Sequence, residues 1–255
     1  MTNEEKIALF EKEVDYMEIE DIKSFFKAAI TLVPDYFFEV PASSSGQFHS
    51  SLECGFGGLV YHTKAVAKVA NYLVNLQQYK SKLNDIEKDC VICAALLHDC
   101  IKHDWLNKTG FSVHHHPVLA ADFIKTNSNL DGIISQETRM IIGDAVASHS
   151  GEWTTNKRSK IILPSPETLV QELVHTSDYI ASRGDIHILF ENEEKKPVLP
   201  DVNEYKLNFG KHKDKTIPEI AAEDRGWLVW ALDNIKREPL LTLIKNYFLQ
   251  EEDEI

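Results

Sequence analysis

Apolar residues recur at the spacing of a helix along most of this chain, so the sequence predicts a protein built largely of helices. Near the N-terminus they predict one helix over residues 4–32, which Pro34 ends. A second helix is predicted to begin at Gly58, and in it His62 shares a face with Val66 and other apolar residues. We therefore expect His62 to point toward the core.

The rest of the chain is predicted to form one bundle followed by a small unit. Amphipathic segments predict further helices over residues 85–99, 117–126, 135–148 and 166–182. Short segments with the composition of strands lie at residues 160–163, 186–190 and 205–209. Charge and two prolines in the segment ENEEKKPVLPD are typical of a linker. We expect an all-α helical bundle over residues 1–190, a linker over 191–202 and a small α+β C-terminal module over 203–255.

Composition and charge narrow the class of protein. The formal net charge of -13 opposes a large nonspecific contact with phosphate backbones, although it leaves a nucleic-acid substrate open. No apolar stretch is long enough to span a membrane, and the N-terminus is too acidic for a signal peptide, so we expect a cytoplasmic location. The four cysteines lack the spacing of a disulfide framework, which favours reduced thiols over a zinc site.

The candidate chemistry lies in histidines and aspartates that recur from helix to helix. The segment AALLHDCIKHDW ends an apolar run in an adjacent histidine and aspartate, which alone would indicate no more than a helix end. Together with similar residues in other helices, the potential ligands are His62, His98, Asp99, His116, His149 and Asp178. Imidazole and carboxylate groups suit Mn²⁺, Fe²⁺, Ni²⁺, Co²⁺ or Zn²⁺, and side chains of neighbouring helices in a bundle can converge on such ions.

The ordered pattern H…HD…H…H…D resembles the HD superfamily of metal-dependent phosphohydrolases. The flanks are also similar: GGLVYHT to GGL-x-x-HT, ALLHDCIK to LLHDIGK, HHPVLAAD to H-P-x-x-x-A, and SDYIASR to an ADxLDAR-like motif. The resemblance covers residues 45–185, and the motifs are specific in combination. One departure is Cys100-Ile101 after the HD pair. Another is the run of three histidines at 114–116, where the spacing to Pro117 favours His116 and leaves His115 as the alternative.

The resemblance implies an HD-domain helical bundle that binds two divalent metal ions (Mn, Fe, Ni, Co, Zn or Mg). The implied metal ligands are the four that define the superfamily and the extra pair of its two-metal members: His62, His98, Asp99, Asp178, His116 and His149. In this interpretation Asp99 bridges the ions, which together activate a hydroxide for in-line attack on phosphorus.

Further residues are candidates for contacts with substrate. Lys102, one turn beyond the bridging aspartate, could act in catalysis by offering positive charge to a phosphate oxygen, or could be a surface lysine. Arg183 is a weaker candidate for a phosphate contact, and His49 could line the substrate entrance. Trp105 and Trp153 could stack a base, although tryptophan is more often buried.

A basic turn, FGKHKDK, precedes a helix with two tryptophans in residues 207–233. This segment resembles the C-terminal module of exodeoxyribonuclease X-like nucleases, FGKHKGK…DPGYLxWxL, with Asp214 in place of a glycine. Lys211 and Lys213 could bind single-stranded nucleic acid beside the aromatic residues. Alternatively, the turn is a solvated loop over a small core.

Together these features predict a metal-dependent phosphohydrolase that cleaves phosphodiester bonds, and our first hypothesis is a 3′–5′ nuclease on short or single-stranded nucleic acid. One alternative is a hydrolase of small nucleotides, either a deoxynucleoside triphosphate triphosphohydrolase or a phosphodiesterase of cyclic or signalling nucleotides. Another is a non-catalytic nucleotide-binding sensor. The expected partner is a nucleic acid or nucleotide, with no membrane, while a homo-oligomer stays open. The two-module organisation fits a bacterial or bacteriophage protein.

Overall fold

In the computed structural model of this chain, α-helices are the main secondary structure of the part that it describes. The described residues are 1–43, 53–103, 112–157, 159–186, 188, 190, 199–235 and 237–253. His49, Trp105 and residues 191–198 of the predicted linker lie outside them. Within the described ranges the chain has eleven α-helices and no strand, so the all-α class is confirmed. No helix in these ranges is both long enough and apolar enough to span a bilayer.

The helices that the sequence predicted are found close to their expected bounds. In chain order they are α1 (Asn3–Ala8), α2 (Glu11–Val14), α3 (Glu20–Leu32), α4 (Gly58–Asn75), α5 (Gln77–Lys80), α6 (Asp85–Leu97), α7 (His116–Thr126), α8 (Gln136–Ala147), α9 (Leu169–Ala181), α10 (Ile217–Asn234) and α11 (Leu240–Asp253). Short 3₁₀ turns occupy Asp35–Phe38 and Ser128–Leu130.

The N-terminal segment differs from its prediction, because α1, α2 and α3 replace the single helix expected over residues 4–32. A carboxylate of another helix fixes where α3 begins. Asp89 Oδ2 of α6 accepts hydrogen bonds from the backbone N–H of Glu18 at 2.8 Å and of Ile19 at 2.7 Å. The residue before α3 is Ile19, whose side chain cannot cap a helix. The break therefore depends on a tertiary contact that local sequence does not show.

The predicted strand segments form no sheet among the described residues. The strand expected at residues 160–163 is wrong, and 186–190 falls partly outside the described part of the chain. The strand component of the predicted α+β module is reduced to one antiparallel bridge, between Lys206 and Thr216. Leu163 and Leu207 are buried in segments that have no regular secondary structure. A buried segment of this kind has the same short apolar run in its sequence as a strand. The apolar runs therefore predicted strands that the structure does not contain in its described part.

Helix α6 is the centre of the larger unit and determines where the candidate site lies. Every residue of Cys90–Leu97 is buried, and the helix packs against α3, α4, α8 and α9. Asn84 caps its N-terminus. Its C-terminus continues directly into His98 and Asp99, which are 0% and 4% exposed. These two side chains thus lie inside the bundle.

A second, smaller core lies in the C-terminal module, where α10 packs against α11. Its buried residues are Leu207, Ile217, Ile220, Leu228, Ala231, Leu240, Leu243 and Ile244. Helix α10 is kinked at Asp224, which has φ of -153° and ψ of 60°. Asp224 Oδ1 accepts a hydrogen bond from the backbone N–H of Trp227 at 3.2 Å, so it caps the second half of the helix.

Candidate metal centre

Five helices bring six ligand-type side chains together at the C-terminal end of α6. The side chains lie within α4 and α9, at the start of α7 and just after α6 and α8. They form two groups, in each of which the candidate ligand atoms lie within 4.8 Å of one another. The first cluster is His62, His98 and Asp178, and the second cluster is Asp99, His116 and His149.

The first cluster is arranged around one oxygen of Asp178. His62 Nε2 lies 3.1 Å from Asp178 Oδ1, and His98 Nε2 lies 3.7 Å from the same atom. The hydroxyl of Ser182 donates to this oxygen at 3.1 Å and so helps to hold the carboxylate. His98 Nδ1 lies 2.8 Å from the backbone carbonyl of Ala95. Because a carbonyl can only accept, Nδ1 carries the proton, and Nε2 of the neutral ring presents a lone pair to the cluster.

In the second cluster, both imidazoles contact a backbone carbonyl through Nδ1, as His98 does in the first cluster. Nδ1 of His116 lies 2.9 Å from the carbonyl of Val113, and Nδ1 of His149 lies 2.7 Å from that of Val146. In the neutral rings both Nε2 atoms therefore carry lone pairs, yet they are only 3.2 Å apart. Asp99 Oδ1 lies 3.1 Å from one of them and 3.8 Å from the other. Electron pairs that converge in this way are stabilised by a cation between them, so this donor set fits a metal ion.

Asp99 joins the two clusters. Its Oδ1 faces the second cluster, whereas its Oδ2 lies 3.3 Å from His98 Nε2 of the first. Lys102 Nζ lies 2.7 Å from Oδ2 and also donates to the carbonyl of Ala42 at 2.5 Å. Lys102 is 7% exposed, so it is not the surface lysine that the sequence left open. The carboxylate has the position expected of a bridge between two ions.

Electrostatics in the metal-free protein keep three of these six groups, Asp99, Asp178 and His149, in the forms that bind metal. Against the effect of burial, Lys102 and His98 hold the pKa of Asp99 well below its usual range, and His62 does the same for the pKa of Asp178. Burial, reinforced by the charges of neighbouring histidines, lowers the pKa of His149 to about 3. At neutral pH, two carboxylates and a neutral imidazole are thus available as ligands.

His62, in contrast, holds a proton in the metal-free protein. Burial acts to lower its pKa, but hydrogen bonds and charge from Asp178 and Glu53 outweigh burial and raise the pKa of His62 to about 9. A metal ion at the first cluster must therefore displace a proton at neutral pH.

Glu53 is a residue of this site that the sequence analysis missed. It is 2% exposed, and its Oε2 lies 3.3 Å from His62 Nδ1, on the side of the ring away from Asp178. A carboxylate behind a ligand imidazole orients the ring and increases its basicity. Close approach of the backbone explains why residue 58 is a glycine, since a Cβ there would lie 2.0 Å from the carbonyl oxygen of Glu53. An acid just before a glycine-rich helix start was the available signal.

A cavity of about 460 Å³ contains residues of both clusters in its lining. Lys102 and Arg183, both predicted to contact substrate, line it as well. So do Trp153 and Tyr179. His116, rather than His115, is the residue that the structure brings to Asp99.

Lys211 and Lys213, the lysines of the C-terminal turn that were predicted to bind nucleic acid, are not part of the lining of this cavity. Lys211 Nζ lies 2.7 Å from Asp224 Oδ2, and Lys215 forms an ion pair with Glu223. Lys213 is exposed and has no ion pair with a described residue. Acidic partners thus offset part of the positive charge that the sequence placed in this turn.

Two protein families match this chain. Residues 59–183 match the family described as HD domain, and residues 207–236 match the family described as Exodeoxyribonuclease X-like C-terminal. No curated protein and no solved structure matches. The first match includes all six residues of the two clusters, and the second includes the basic turn and all of α10.

Proposed function

We propose that this chain, a member of the HD superfamily of metal-dependent phosphohydrolases with an exodeoxyribonuclease X-like C-terminal module, is a 3′–5′ nuclease on short or single-stranded nucleic acid. The observation that carries the proposal is the pair of ligand clusters that Asp99 joins within one cavity. A phosphodiester needs stabilisation of both the attacking and the leaving oxygen, and two adjacent cations suit that requirement.

We assign one divalent ion to the first cluster and a second to the second cluster, with Asp99 between them. When bound, the ions would supply an activated water and positive charge for substitution at phosphorus. The mixed nitrogen and oxygen ligands suit Mn²⁺, Fe²⁺, Ni²⁺, Co²⁺ or Zn²⁺ better than Mg²⁺, which prefers oxygen ligands and bound water.

The chain's own residues then bind and orient the substrate. Lys102 keeps Asp99 ionised and fixed in direction, and it lines the cavity, where its charge would favour a phosphate. Arg183 lines the same cavity near Asp178, where its guanidinium would bind a non-bridging phosphate oxygen. Both residues therefore favour a substrate with negative charge.

We also propose that the chain divides within residues 191–202 into a catalytic domain (1–190) and a C-terminal module (203–255). Two separate hydrophobic cores support this division. In this arrangement the module adds affinity for a polymer through Lys213 and exposed aromatic surface, with a smaller electrostatic contribution from Lys211.

A second candidate function is the hydrolysis of small nucleotides. The cavity has the size of a small-ligand site, and the net charge of -13 opposes contact with a long phosphate backbone. Both observations favour a small substrate. This function would use the same clusters and the same cations at the phosphate.

A substrate panel distinguishes these functions. Chelated protein reloaded with Mn²⁺ is incubated with end-labelled single-stranded DNA and RNA, deoxynucleoside triphosphates and cyclic nucleotides. We expect shortening of the single strands from the 3′ end, its loss in Asp178→Asn, and its retention in Asp122→Asn, a matched change at an exposed carboxylate of α7. Turnover of small nucleotides alone would replace the first function with the second. Absence of any turnover would overturn both.

A further inference from the structure

The rim of the cavity carries an aromatic pair that the ligand clusters do not use. The rings of Trp153 and Tyr179 are nearly parallel, with an interplanar angle of 11° and centroids 5.6 Å apart. The two residues are 50% and 40% exposed. Large aromatic side chains are usually well buried, so an exposed stacked pair within the lining of a candidate active site indicates a contact surface.

The fold holds this pair next to the second cluster. His175 Nδ1 donates to the backbone carbonyl of His149 at 2.9 Å, and its ring lies edge-on to Trp153 with centroids 5.8 Å apart. Gly151 has φ of +61°, and a Cβ there would lie 2.2 Å from the His175 ring. The glycine therefore allows the segment between His149 and Trp153 to cross His175 closely.

Arg183 adds positive charge beside the aromatic pair. Its guanidinium carbon lies 4.4 Å from the centroid of the Tyr179 ring, so the ring orients it. Its Nε is buried and makes no hydrogen bond to a described residue. A buried donor without an acceptor indicates a place for an anionic oxygen. The rim thus offers an aromatic surface and a cation side by side.

We propose that Trp153 and Tyr179 form a nucleobase subsite, which holds the base of the nucleotide whose phosphate lies at the two clusters, while Arg183 beside it binds a phosphate oxygen. This inference rests on the proposed phosphohydrolase function and specifies its substrate as a phosphate ester that carries a base. The cavity of about 460 Å³ has room for one nucleotide. Because every base has a π-face, stacking here binds different bases with little discrimination.

The same chemistry could come from a free nucleotide or from the end of a single strand. The loop after Trp153 allows an experiment to distinguish these two ligands. Residues 153–163 include exposed Lys157 and Lys160 and no acidic residue. The backbone N–H of Leu163 donates to the carbonyl of Thr154 at 2.8 Å, which closes the loop. A strand whose terminal base stacks on Trp153 would have its next phosphates near these lysines, whereas a free nucleotide would not.

Equilibrium binding tests the subsite directly. Deoxyadenosine 5′-monophosphate and deoxyribose 5-phosphate, which lacks the base, are titrated calorimetrically into the Mn²⁺-loaded full chain. We expect the nucleotide to bind about 5- to 150-fold more tightly, which is the range of base stacking on an aromatic side chain. Trp153→Leu should abolish this preference, Trp153→Phe should keep most of it, and deoxyribose 5-phosphate should bind all three proteins equally.

Trp230→Leu is the matched control, because Trp230 is 51% exposed but belongs to the C-terminal module. It should leave the preference for the nucleotide unchanged. Equal binding of the two ligands by the unaltered chain would overturn the subsite. Equal weakening of both ligands by Trp153→Leu, with Trp153→Phe behaving in the same way, would also overturn it, because that result indicates a general structural defect.

Hydrolysis of an oligothymidylate and of an abasic strand of equal length separates failure of the subsite from failure of the proposed function. Equal cleavage of both would overturn the subsite alone. Cleavage of neither, with the binding preference intact, would overturn the proposed function alone. The double variant Lys157→Gln/Lys160→Gln should weaken binding of pentadeoxyadenylate and leave the mononucleotide unaffected if a strand is the substrate, whereas no change would assign the subsite to free nucleotides.

Discussion

Two groups made of the same three residue types lie in the two units of this chain. Asp99 has Lys102 Nζ at 2.7 Å and His116 Nε2 at 3.1 Å. Asp224, in the C-terminal module, has Lys211 Nζ at 2.7 Å and His212 Nε2 at 3.1 Å. Neither residue identity nor distance distinguishes the two groups.

The surroundings of the two aspartates distinguish the two groups. The second oxygen of Asp224 accepts a backbone hydrogen bond from Trp227, and the ring of His212 packs edge-on against the same tryptophan at 4.9 Å. This group therefore stabilises the kink in α10. Around Asp99, His116 and a further histidine, His149, have their Nδ1 atoms committed to backbone carbonyls, so the Nε2 lone pairs of the neutral rings face one another. A His–Asp–Lys group thus becomes a candidate metal centre when its surroundings leave converging electron pairs that a cation would stabilise.

The largest expected difference between the groups is the response to loss of the carboxylate charge. Asp99→Asn should remove metal from the protein and lower hydrolysis by about 10³-fold or more, because both clusters lose their shared ligand. Asp224→Asn should leave metal content and hydrolysis of a short substrate unchanged, and lower only the thermal unfolding midpoint. Elemental analysis with turnover assays measures both. Equal metal loss in the two variants would contradict the distinction.

Glu53 tests the support of the first cluster. Glu53→Gln should weaken metal binding there about 10- to 100-fold, since the imidazole of His62 loses the carboxylate that orients it. Competition with a fluorescent chelator measures the affinity. Glu39→Gln is the control, because that carboxyl is also partly buried but belongs to neither cluster. Unchanged affinity in Glu53→Gln would show that the contact with His62 is incidental.

The pH dependence of the metal-free protein should also separate the clusters. The folded state raises the pKa of His62 from 6.5 to about 9, so the stability contributed by its proton is complete below pH 6.5 and is lost as pH rises to 9. His149, whose pKa falls to about 3, is already neutral in both states over most of this interval. Thermal unfolding in a chelator should therefore decline from pH 6.5 to 9.5, and less so in His62→Gln. An identical decline in the variant would contradict the assignment.

A smaller effect is expected from the basic turn of the module. Lys213→Gln should weaken binding of a single-stranded oligonucleotide a few-fold and reduce the salt dependence by about one unit of slope, as for one phosphate contact. Lys211→Gln should do less, since Asp224 already offsets that charge. Binding titrations at several salt concentrations compare them. A larger effect of Lys211→Gln would indicate that its ion pair opens on binding.

The smallest effect concerns Asp214, which replaces the usual glycine of the module. Its φ is 67°, in the left-handed region that glycine adopts without strain and that Asp tolerates. Asp214→Gly should therefore raise the stability of the module by up to about 1 kcal/mol, measured by chemical denaturation. A matched Asp233→Gly change in the last turn of α10, where the backbone is helical, should not raise the stability of the module. A loss of stability in Asp214→Gly would show that the aspartate makes a compensating contact.

The sequence predicted those features that depend on local pattern. The long helices were found near their expected bounds, and the order of histidines and aspartates identified the side chains that the fold brings together. The division of the N-terminal helix was missed because its cause, the Asp89 carboxylate, comes from a helix some 70 residues away. The role of Glu53 and the offsetting of the basic turn by Asp224 were missed for the same reason, since each contact forms only in the folded chain.

The exposed aromatic pair shows the same limit. The sequence is compatible with either base stacking or burial of Trp153 and does not distinguish the two. Its partner Tyr179 lies on α9, and their parallel rings result from how the segment after α8 crosses that helix. Sequence pattern thus indicates which residues can bind metal or base, whereas packing decides which of them meet.

Anomalous diffraction from crystals grown with Mn²⁺ tests the central claim most directly. We predict two anomalous peaks, one in the first cluster and one in the second, with Asp99 between them, and no peak at Asp224 and His212. Both peaks should be absent in Asp99→Asn crystals. A peak at Asp224, or none at either cluster in the unaltered protein, would contradict the account.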